Sequence, residues 1–325
     1  MRIIRHHEFG APSVLRAEET ERPEPGPGEV LIRTEAVGVN FADVQRRQGV
    51  PIGGHPTLPA SPGGDVAGRV ESLGEGVTAV AVGDRVVTGV ASDAYAEYVV
   101  APADWLFPVP DSIDAAQATS LPIPAQTAYH VIATAARLKP GESVLVTAAA
   151  GGIGHLLVQF AKALGAGLVI AAASSQDKLD FATSLGADVA VDYGQEGWDE
   201  KVKAVTEGRG VDVVLETVGG DILTRCVGLT AAFGRLVVYG SAGGVVPSLD
   251  VGEIFDNRTV MGFSMWGVMA HKPQAMADGA KALLELVASG EVRPVVHAAL
   301  PLERAAEAHE LMEARAQLGR VVLVP

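Results

Sequence analysis

Three glycines near the middle of the chain could bind a pyrophosphate. Gly151, Gly152 and Gly154 lie between a short apolar run and an apolar segment with helical periodicity. Where side chains are missing at the N-terminus of a helix, phosphate oxygens can approach the backbone N–H groups. The pattern is AxxGxxG, with Ala148 where a dinucleotide fingerprint usually has its first glycine. It therefore indicates a dinucleotide site, and a tight turn without a ligand is the alternative.

The residues about 20 positions further on indicate which dinucleotide is bound. An NAD site usually has an acidic residue there, whereas this chain has Ser174 and Ser175, with Lys178 nearby. Hydroxyl and ammonium groups can donate to a 2′-phosphate, which a carboxylate would repel. We therefore predict NADP as the nucleotide. In the alternative, Ser174 caps a helix that starts near Asp177 while Lys178 is solvated, and Asp177 could also reach back to the ribose.

Alternating strands and helices must position these residues. Ser143–Thr147 and Leu168–Ala173 have the composition of buried strands, and the helical segment between them makes a βαβ unit whose right-handed crossover sets the strands parallel. Val211–Gly220 and Gly234–Gly244 are further buried-strand patterns that end in small residues. Because the C-termini of such strands face the ligand, four more residues become cofactor candidates. They are Val218, Gly219, Gly240 and Ser241.

The first third of the chain has a different pattern. From Met1 to about Leu121, short strand-like segments are separated by glycine and proline. This spacing predicts a small, mostly β domain of barrel or sandwich type. Within it, the irregular segments Gly38–Gly49 and Leu58–Gly68 are the best candidates to line a cleft.

Composition limits the possible function classes. The chain has 325 residues, of which 48% are hydrophobic, and this suggests about two domains with sizeable cores. A formal net charge of −14 without a basic run argues against a nucleic-acid partner. No segment has the apolar length of a signal peptide or a membrane span, so we expect a soluble, cytoplasmic protein with no membrane partner. Cys226 is the one cysteine, which excludes intrachain disulfides and thiolate zinc sites and indicates core packing.

Several motifs together resemble one family over nearly the whole chain. They are GVNFAD, SPGGDVAG, AYAEY, QTAYHVI, AAAGGIG and GRVVLV. The sequence is similar to the zinc-independent quinone oxidoreductases, the branch of the medium-chain dehydrogenase/reductase superfamily that includes zeta-crystallin-like proteins. The resemblance implies an α/β fold, with a GroES-like β-rich catalytic domain plus a doubly wound Rossmann nucleotide-binding domain. We expect the catalytic domain at 1–122 and 264–325, and the NADP-binding domain at 123–263.

The resemblance also implies that no metal binds. Zinc-dependent relatives have a cysteine at the place of Asn40 and a Gly-His-Glu at the place of Gly63, Gly64 and Asp65. This chain lacks two of those ligands and the four-cysteine structural lobe. Zinc would polarise a carbonyl or stabilise an alkoxide. Without zinc, the expected acceptors are molecules that delocalise the incoming charge, which are quinones and other α,β-unsaturated carbonyls.

Further cofactor residues follow from the resemblance. Thr127 and Phe263 match positions near the nicotinamide, Tyr193 matches one near the adenosine phosphate, and Arg320 matches one near the phosphates. Tyr193 is otherwise a strand-end aromatic, and Arg320 is otherwise a solvated charge that opens an edge strand. The complete predicted NADPH site is Thr127, Gly151, Gly152, Ile153, Ser174, Ser175, Lys178, Tyr193, Val218, Gly240, Ser241, Phe263 and Arg320.

The predicted reaction is hydride transfer from NADPH to a quinone or an enone. In it, the amide of Asn40 donates to the acceptor oxygen as negative charge develops there. Asn40 could instead only pin its loop, and Asp43 is as suited to orienting that loop as to facing the substrate. A less aromatic pocket is expected because His55 is the only ring in the segment after RQG. Two other functions remain open: a non-catalytic NADPH-binding sensor or structural protein, and an enoyl-thioester reductase.

The resemblance implies a homodimer as well. The run TVMGF, which ends at Phe263, could add a strand beyond the last strand of the nucleotide domain. An apolar sheet edge of that kind favours association unless something covers it. Pairing with the same strand of a second copy, related by a twofold axis, would cover it.

Overall fold

The computed structural model of this chain describes residues 1–51, 54, 57–244 and 248–325. His55, from which we predict a less aromatic pocket, lies outside the described residues. The strands are β1 (Arg2–Arg5), β2 (Arg16–Glu19), β3 (Glu29–Val39), β4 (Asp65–Leu73), β5 (Arg85–Gly89), β6 (Tyr98–Pro102), β7 (Phe107–Pro108), β8 (Ser143–Thr147), β9 (Leu168–Ala173), β10 (Val189–Asp192), β11 (Val211–Glu216), β12 (Thr230–Val238), β13 (Thr259–Gly262), β14 (Val296–Pro301) and β15 (Arg320–Val324). The helices are α1 (Phe41–Arg47), α2 (Ala115–Ala118), α3 (Gln126–Tyr129), α4 (Gly154–Ala163), α5 (Gln176–Ser184), α6 (Trp198–Val205), α7 (Gly220–Leu229), α8 (Met265–His271), α9 (Pro273–Ser289) and α10 (Ala305–Glu313), and π-helical turns at Leu121–Ala125 and His130–Ala135 flank α3.

The chain divides into two compact units. The first unit is Met1–Ile123 with Pro294–Pro325, and the second is Pro124–Arg293. The predicted assignment of residues 264–293 to the first unit is therefore wrong. Their long helix α9 packs against α3, so closely that a Cβ at Gly279 would lie 2.7 Å from the ring of the residue after α3. An amphipathic pattern shows that a helix buries one face, but it does not identify the partner of that face.

A seven-stranded sheet forms the centre of the first unit. Its strand order is β14-β15-β3-β4-β5-β7, with β6 paired to β3. The C-terminal strand β15 therefore lies inside the sheet, so the alternative in which Arg320 opens an edge strand is wrong. β15 runs antiparallel to β3, with Val321 opposite Val39. This register sets Arg320 beside Asn40, the residue between β3 and α1.

The second unit has a six-stranded parallel sheet in the order β10-β9-β8-β11-β12-β13. The predicted βαβ unit is confirmed as β8, α4 and β9, with helices connecting strands of a doubly wound sheet. The run TVMGF supplies β13, which lies beyond β12 as predicted and runs parallel to it. Cys226 is fully buried in the apolar core of this unit, which confirms its packing role.

Candidate active site

One edge of the parallel sheet gathers most of the predicted cofactor residues. All six strands run in the same direction, so their C-terminal ends meet at one edge, and the order changes direction at β8. Ligands of doubly wound folds bind at this kind of switch point. The residues that follow the strand ends are Gly151, Gly152 and Ile153 after β8, Ser174, Ser175 and Lys178 after β9, Tyr193 after β10, Val218 after β11, Gly240 and Ser241 after β12, and Phe263 after β13. Thr127 lies elsewhere, on α3, where it is 7% exposed.

The turn between β8 and α4 has the compactness that a pyrophosphate site needs. A Cβ at Gly154, the first residue of α4, would overlap the carbonyl oxygen of Ala148. Ala148 has a φ of +48°, a left-handed conformation that the first glycine of the fingerprint would adopt without strain. The first N–H groups of a helix have no intrahelical acceptor, and the macrodipole there favours an anion. The turn therefore fits phosphate oxygens despite the alanine.

Ser174 and Lys178 lie together at the end of β9. The Lys178 ammonium donates to Ser174 Oγ at 2.9 Å. The alternative in which Ser174 caps the following helix is wrong, because the N-cap of α5 is Ser175, whose side chain makes no capping hydrogen bond. The Tyr193 N–H donates to the carbonyl of Ala173 at 3.0 Å, which brings the tyrosine to the same strand end. Two serines, a lysine and a tyrosine thus lie near the C-terminal end of β9, the strand next to β8 and its glycine turn.

Backbone hydrogen bonds join the loops after β11 and β12. The N–H groups of Ala242 and Gly243 donate to the carbonyls of Thr217 and Val218, at 2.7 and 2.8 Å. A Cβ at Gly240 would overlap Thr217 Oγ1, so this position requires a glycine. The two loops therefore form one surface at the sheet edge.

Glu216 shapes this surface, although sequence reasoning did not single it out. The residue ends β11, is 0% exposed, and its Oε1 accepts from the N–H groups of Val218 at 2.6 Å and Gly219 at 3.0 Å. Burial raises the pKa of the Glu216 carboxyl, and these hydrogen bonds oppose the rise. The signal in the sequence is an acid directly after the apolar run Val213–Leu215, at the end of a strand where a buried carboxylate needs donors.

Asn40 is the centre of a second polar group, in the first unit. Its Nδ2 donates to Asp65 Oδ2 at 2.7 Å, and its Oδ1 accepts from Arg320 Nη1 at 2.6 Å. Arg320 and Asp65 are 2% and 0% exposed, and they form an ion pair through Nη2 and Oδ2. Burial raises the pKa of Asp65, while the Arg320 guanidinium opposes that rise. Asn40 itself is half-buried.

The position of Arg320 corrects one expectation. Its guanidinium donates to Asp65, to Asn40, and to the carbonyls of Thr119 at 3.2 Å and Val39 at 3.4 Å. The alternative in which Arg320 is a solvated charge is therefore wrong. The assignment of Arg320 to the cofactor phosphates stays a prediction, and such a contact would have to form while the guanidinium still pairs with Asp65, whose buried charge needs that partner.

A second branch of the polar group begins at Asp43. Its Oδ2 accepts from the Asn40 N–H at 2.9 Å and from the Tyr95 hydroxyl at 3.4 Å, and that hydroxyl also contacts His309 Nε2 at 3.0 Å. Burial raises the pKa of Tyr95, with the Asp43 charge adding to the rise. Burial also lowers the pKa of His309 to about 3, so the imidazole is neutral at pH 7. Asp43 thus holds the Asn40 backbone through a hydrogen bond. Of its two predicted roles, this contact fits the orienting of the loop.

Known proteins similar to this chain match over almost its full length. Two family models match, the alcohol dehydrogenase GroES-like domain over residues 26–111 and the zinc-binding dehydrogenase over residues 152–285. A 2-haloacrylate reductase of Burkholderia sp is 34% identical, with 98% of this chain and 97% of that protein covered. A quinone oxidoreductase of Pseudomonas aeruginosa is 35% identical, with the same shares covered. The structure of Escherichia coli quinone oxidoreductase complexed with NADPH has a TM-score of 0.92 and 32% identity, and the match covers 100% of both chains.

The chain belongs to the quinone oxidoreductase family of the medium-chain dehydrogenase/reductase superfamily. The match confirms the predicted fold, in which a GroES-like β-rich part accompanies a Rossmann-like parallel sheet.

Two further structural findings concern this quinone oxidoreductase family member. Within residues 1–51, 54, 57–244 and 248–325, three or more His, Cys, Asp or Glu side chains nowhere come together in a group that could hold a metal ion. In the same part of the chain, every helix is too short or too polar to cross a membrane.

Proposed function

We propose that this protein is an NADPH-dependent oxidoreductase that transfers a hydride to a quinone or another α,β-unsaturated carbonyl without zinc. The observation that carries the proposal is the Lys178–Ser174 pair at the end of β9, on the strand next to the compact glycine turn. Bound NADPH would supply the hydride. The residues of the chain would bind and orient this cofactor and stabilise the charge that develops on the acceptor.

The donors at the sheet edge fit NADPH better than NADH. A 2′-phosphate beside Lys178 would gain a charge-assisted hydrogen bond from the ammonium and another from the Ser174 hydroxyl. The compact turn before α4 fits the pyrophosphate, since a side chain at Gly154 would overlap Ala148. The loops that carry Val218 and Gly240 complete the cofactor surface. The Escherichia coli relative was crystallised with NADPH, which supports the same cofactor here.

Asn40 would act on the acceptor. An amide N–H that meets the acceptor oxygen stabilises the negative charge that builds there during hydride transfer. The proton that completes the reduction would come from solvent. Quinones and activated alkenes delocalise charge by themselves, so one oriented donor would suffice where a saturated aldehyde or ketone would need a stronger Lewis acid.

The contacts of Asn40 also support a reaction without zinc. The positions that match zinc ligands of relatives hold Asn40 and Gly64 in this chain. A buried guanidinium lies within hydrogen-bond distance of the Asn40 oxygen and is paired with Asp65. A divalent cation at this place would meet the positive charge of Arg320, and the repulsion would be strong in a buried site.

Two relatives point to the class of acceptor. One is named a quinone oxidoreductase and another a 2-haloacrylate reductase. A quinone and a 2-haloacrylate share a carbon–carbon double bond conjugated to a carbonyl or carboxylate group. We therefore propose electron-poor conjugated acceptors as the substrate class.

The test is NADPH oxidation by the purified protein against a panel of quinones, enones and 2-haloacrylates. We expect turnover with at least one class, and little or none with saturated aldehydes or ketones. NADPH binding without turnover of any panel member would refute the proposal and favour the alternative of a cofactor sensor. Preference for enoyl thioesters over all other acceptors would favour an enoyl-thioester reductase.

We also propose that the protein is a homodimer. β13 is the outermost strand of the parallel sheet as far as the described residues extend, and its residues are half-buried or exposed. Val251 and Phe255, in the segment before it, are 61% and 79% exposed. Pairing of β13 with its twofold mate would cover both the unpaired strand edge and these apolar side chains.

A further inference from the structure

The Asn40 side chain makes two hydrogen bonds of opposite polarity. Its Nδ2 donates to the Asp65 carboxylate at 2.7 Å, and its Oδ1 accepts from the Arg320 guanidinium at 2.6 Å. Arginine has donors but no acceptor, whereas an ionised carboxylate has acceptors but no donor. A flipped amide would set donor against donor and acceptor against acceptor. The two partners therefore fix which end of the amide is the oxygen and which is the nitrogen.

One Nδ2 hydrogen is left after these contacts. A carboxamide nitrogen carries two hydrogens, and the bond to Asp65 uses one of them. The backbone at Asn40 is held as well, because its N–H donates to Asp43 Oδ2 at 2.9 Å. Asn40 is half-buried, in contrast to Asp65 and Arg320, so part of it is accessible to a ligand. The remaining hydrogen consequently has a direction that the protein sets in advance.

The ion pair that holds the amide is itself tightly built. Arg320 Nη2 donates to Asp65 and to the Thr119 carbonyl, and Nη1 reaches the Val39 carbonyl in addition to Asn40. The backbone makes room for it, because a Cβ at Gly38 would overlap the guanidinium. This packing leaves the guanidinium little freedom to move.

We propose that Asp65 and Arg320 are positioning residues, which hold the Asn40 carboxamide in one orientation so that its second Nδ2 hydrogen is ready for the acceptor oxygen. This inference rests on the proposed function, in which Asn40 meets the acceptor. A donor that is oriented before the reaction stabilises developing charge without reorganisation, and a donor that must first turn loses much of that advantage. In this proposal Arg320 affects the reaction through its hold on Asn40.

The contrasting explanation is that the ion pair only stabilises the first unit. Both explanations predict a less stable protein when the pair is weakened. They differ in two observables, the state of the Asn40 amide and the turnover of the folded molecules.

Nuclear magnetic resonance can observe the amide directly, because the chain has two asparagines, Asn40 and Asn257. With ¹⁵N-asparagine labelling, the spectrum should contain two side-chain NH₂ pairs, and Asn40→Ala identifies the Asn40 pair by its loss. We expect Arg320→Lys to shift the Asn40 pair and bring its two proton resonances closer together. The Asn257 pair, in the second unit, should stay in place as an internal reference. An Asn40 pair that is unchanged in Arg320→Lys would overturn the proposal.

Kinetics on the same variants test the consequence for the reaction. Misplacement of a reacting group by about 1 Å can lower the rate roughly 100-fold, so we expect kcat of Arg320→Lys to fall about 10- to 100-fold. These rates are measured at saturating NADPH, and NADPH affinity is titrated separately, so that a loss of cofactor binding is told apart from a loss of kcat. In an Asn40→Ala background, Arg320→Lys should lower kcat no further, because two residues that act through one group are not additive. A further decrease of kcat in that background would overturn the proposal.

Two other variants keep the test decisive. Gly38→Ala displaces the guanidinium while Asn40, Asp65 and Arg320 all remain, and it replaces Arg320→Lys if the lysine variant fails to fold. Arg47→Lys is the matched control, because Arg47 is 0% exposed and pairs with Glu313 in the same unit without contacting the Asn40 amide. It should lower stability but leave kcat within about twofold.

The outcomes separate this inference from the proposed function. If the wild-type protein turns over no acceptor, the proposed function fails, and the positioning role fails with it even where the amide resonances respond. If the wild type turns over an acceptor and kcat is unchanged in Arg320→Lys and Gly38→Ala, the proposed function stands and the positioning role alone is overturned.

Discussion

Replacement of Asp43 by asparagine should remove a pH dependence from the stability of the first unit. Asp43 is 2% exposed, and its Oδ2 accepts from the Asn40 N–H and the Tyr95 hydroxyl. Burial raises the pKa of Asp43 from 3.8 to about 6, and the charge of Asp65 adds to the rise while the Asn40 N–H opposes it. Near pH 5, the folded chain therefore holds a proton that the unfolded chain has already released.

The sign and size of the effect follow from this difference in pKa. Between about pH 4 and pH 6 the folded state binds more protons, so the contribution of Asp43 to the free energy of unfolding falls as the pH rises through that window. Above the window both states are deprotonated and the contribution is constant. At about 1.4 kcal/mol for each pKa unit, the difference amounts to ~3 kcal/mol between the acid end of the window and pH 7.

Urea unfolding from pH 4 to pH 7.5, followed by circular dichroism, would measure the effect. Asp43→Asn keeps an oxygen that can accept from the Asn40 N–H, and it has no carboxyl to titrate. We expect its free energy of unfolding, relative to the wild type, to increase by ~3 kcal/mol across the window as the pH rises.

Asp212→Asn is the control, because its titration lies outside the same window. Burial raises the pKa of Asp212, but hydrogen bonds from Arg209 and Ser143 prevail and lower it to about 2. The stability from that group is lost only as the pH falls below about 4, so the difference between Asp212→Asn and the wild type should be flat from pH 5 to pH 7.5. Parallel curves for Asp43→Asn and the wild type would refute the reasoning.

Four other experiments test the proposed site. Asn40→Ala should lower kcat and kcat/KM together by about 100- to 1,000-fold with NADPH affinity nearly unchanged, and an unchanged kcat would leave the asparagine with a structural role. Lys178→Ala should weaken NADPH binding by about 10-fold or more but hardly change NADH binding, and equal losses in fluorescence titrations would contradict the 2′-phosphate contact. Activity should survive exhaustive chelation, and stoichiometric zinc lost together with activity would end the case for a zinc-free reaction. Light scattering at micromolar concentration should give a dimer, which Val260→Lys on β13 should weaken, whereas a wild-type monomer would contradict pairing of this edge.

Local patterns predicted the second unit well. The run from Ser143 to Ala173 encodes strand, turn, helix and strand within a short segment, and each element's periodicity is visible without knowledge of its neighbours. The strand ends follow from the same pattern, so the positions of Ser174, Val218 and Gly240 at one sheet edge could be anticipated. Even Ala148, which departs from the fingerprint, keeps the expected left-handed turn.

Long-range contacts explain what the sequence did not show. Arg320 begins a strand near the C-terminus, and its partner Asp65 is 255 residues away, so no local pattern marks the pair. The contact between Tyr95 and His309 spans 214 residues and was missed for the same reason. A charge at the start of a strand is usually solvated, and its burial becomes predictable only when a counter-charge is known to be near.

The network around Asn40 also explains why a carboxamide suits this position. A residue between Arg320 and Asp65 must accept from one and donate to the other. In the proposed function it must also keep a further donor for a substrate oxygen. Aspartate would set a second carboxylate against Asp65, while serine has one hydrogen and would spend it on that partner. Asparagine has an oxygen and two N–H groups on a short, planar side chain. In the proposed function, the residue that stands in place of a metal ligand also supplies an oriented hydrogen-bond donor, so a reaction without zinc and a preference for conjugated acceptors would have a common structural origin.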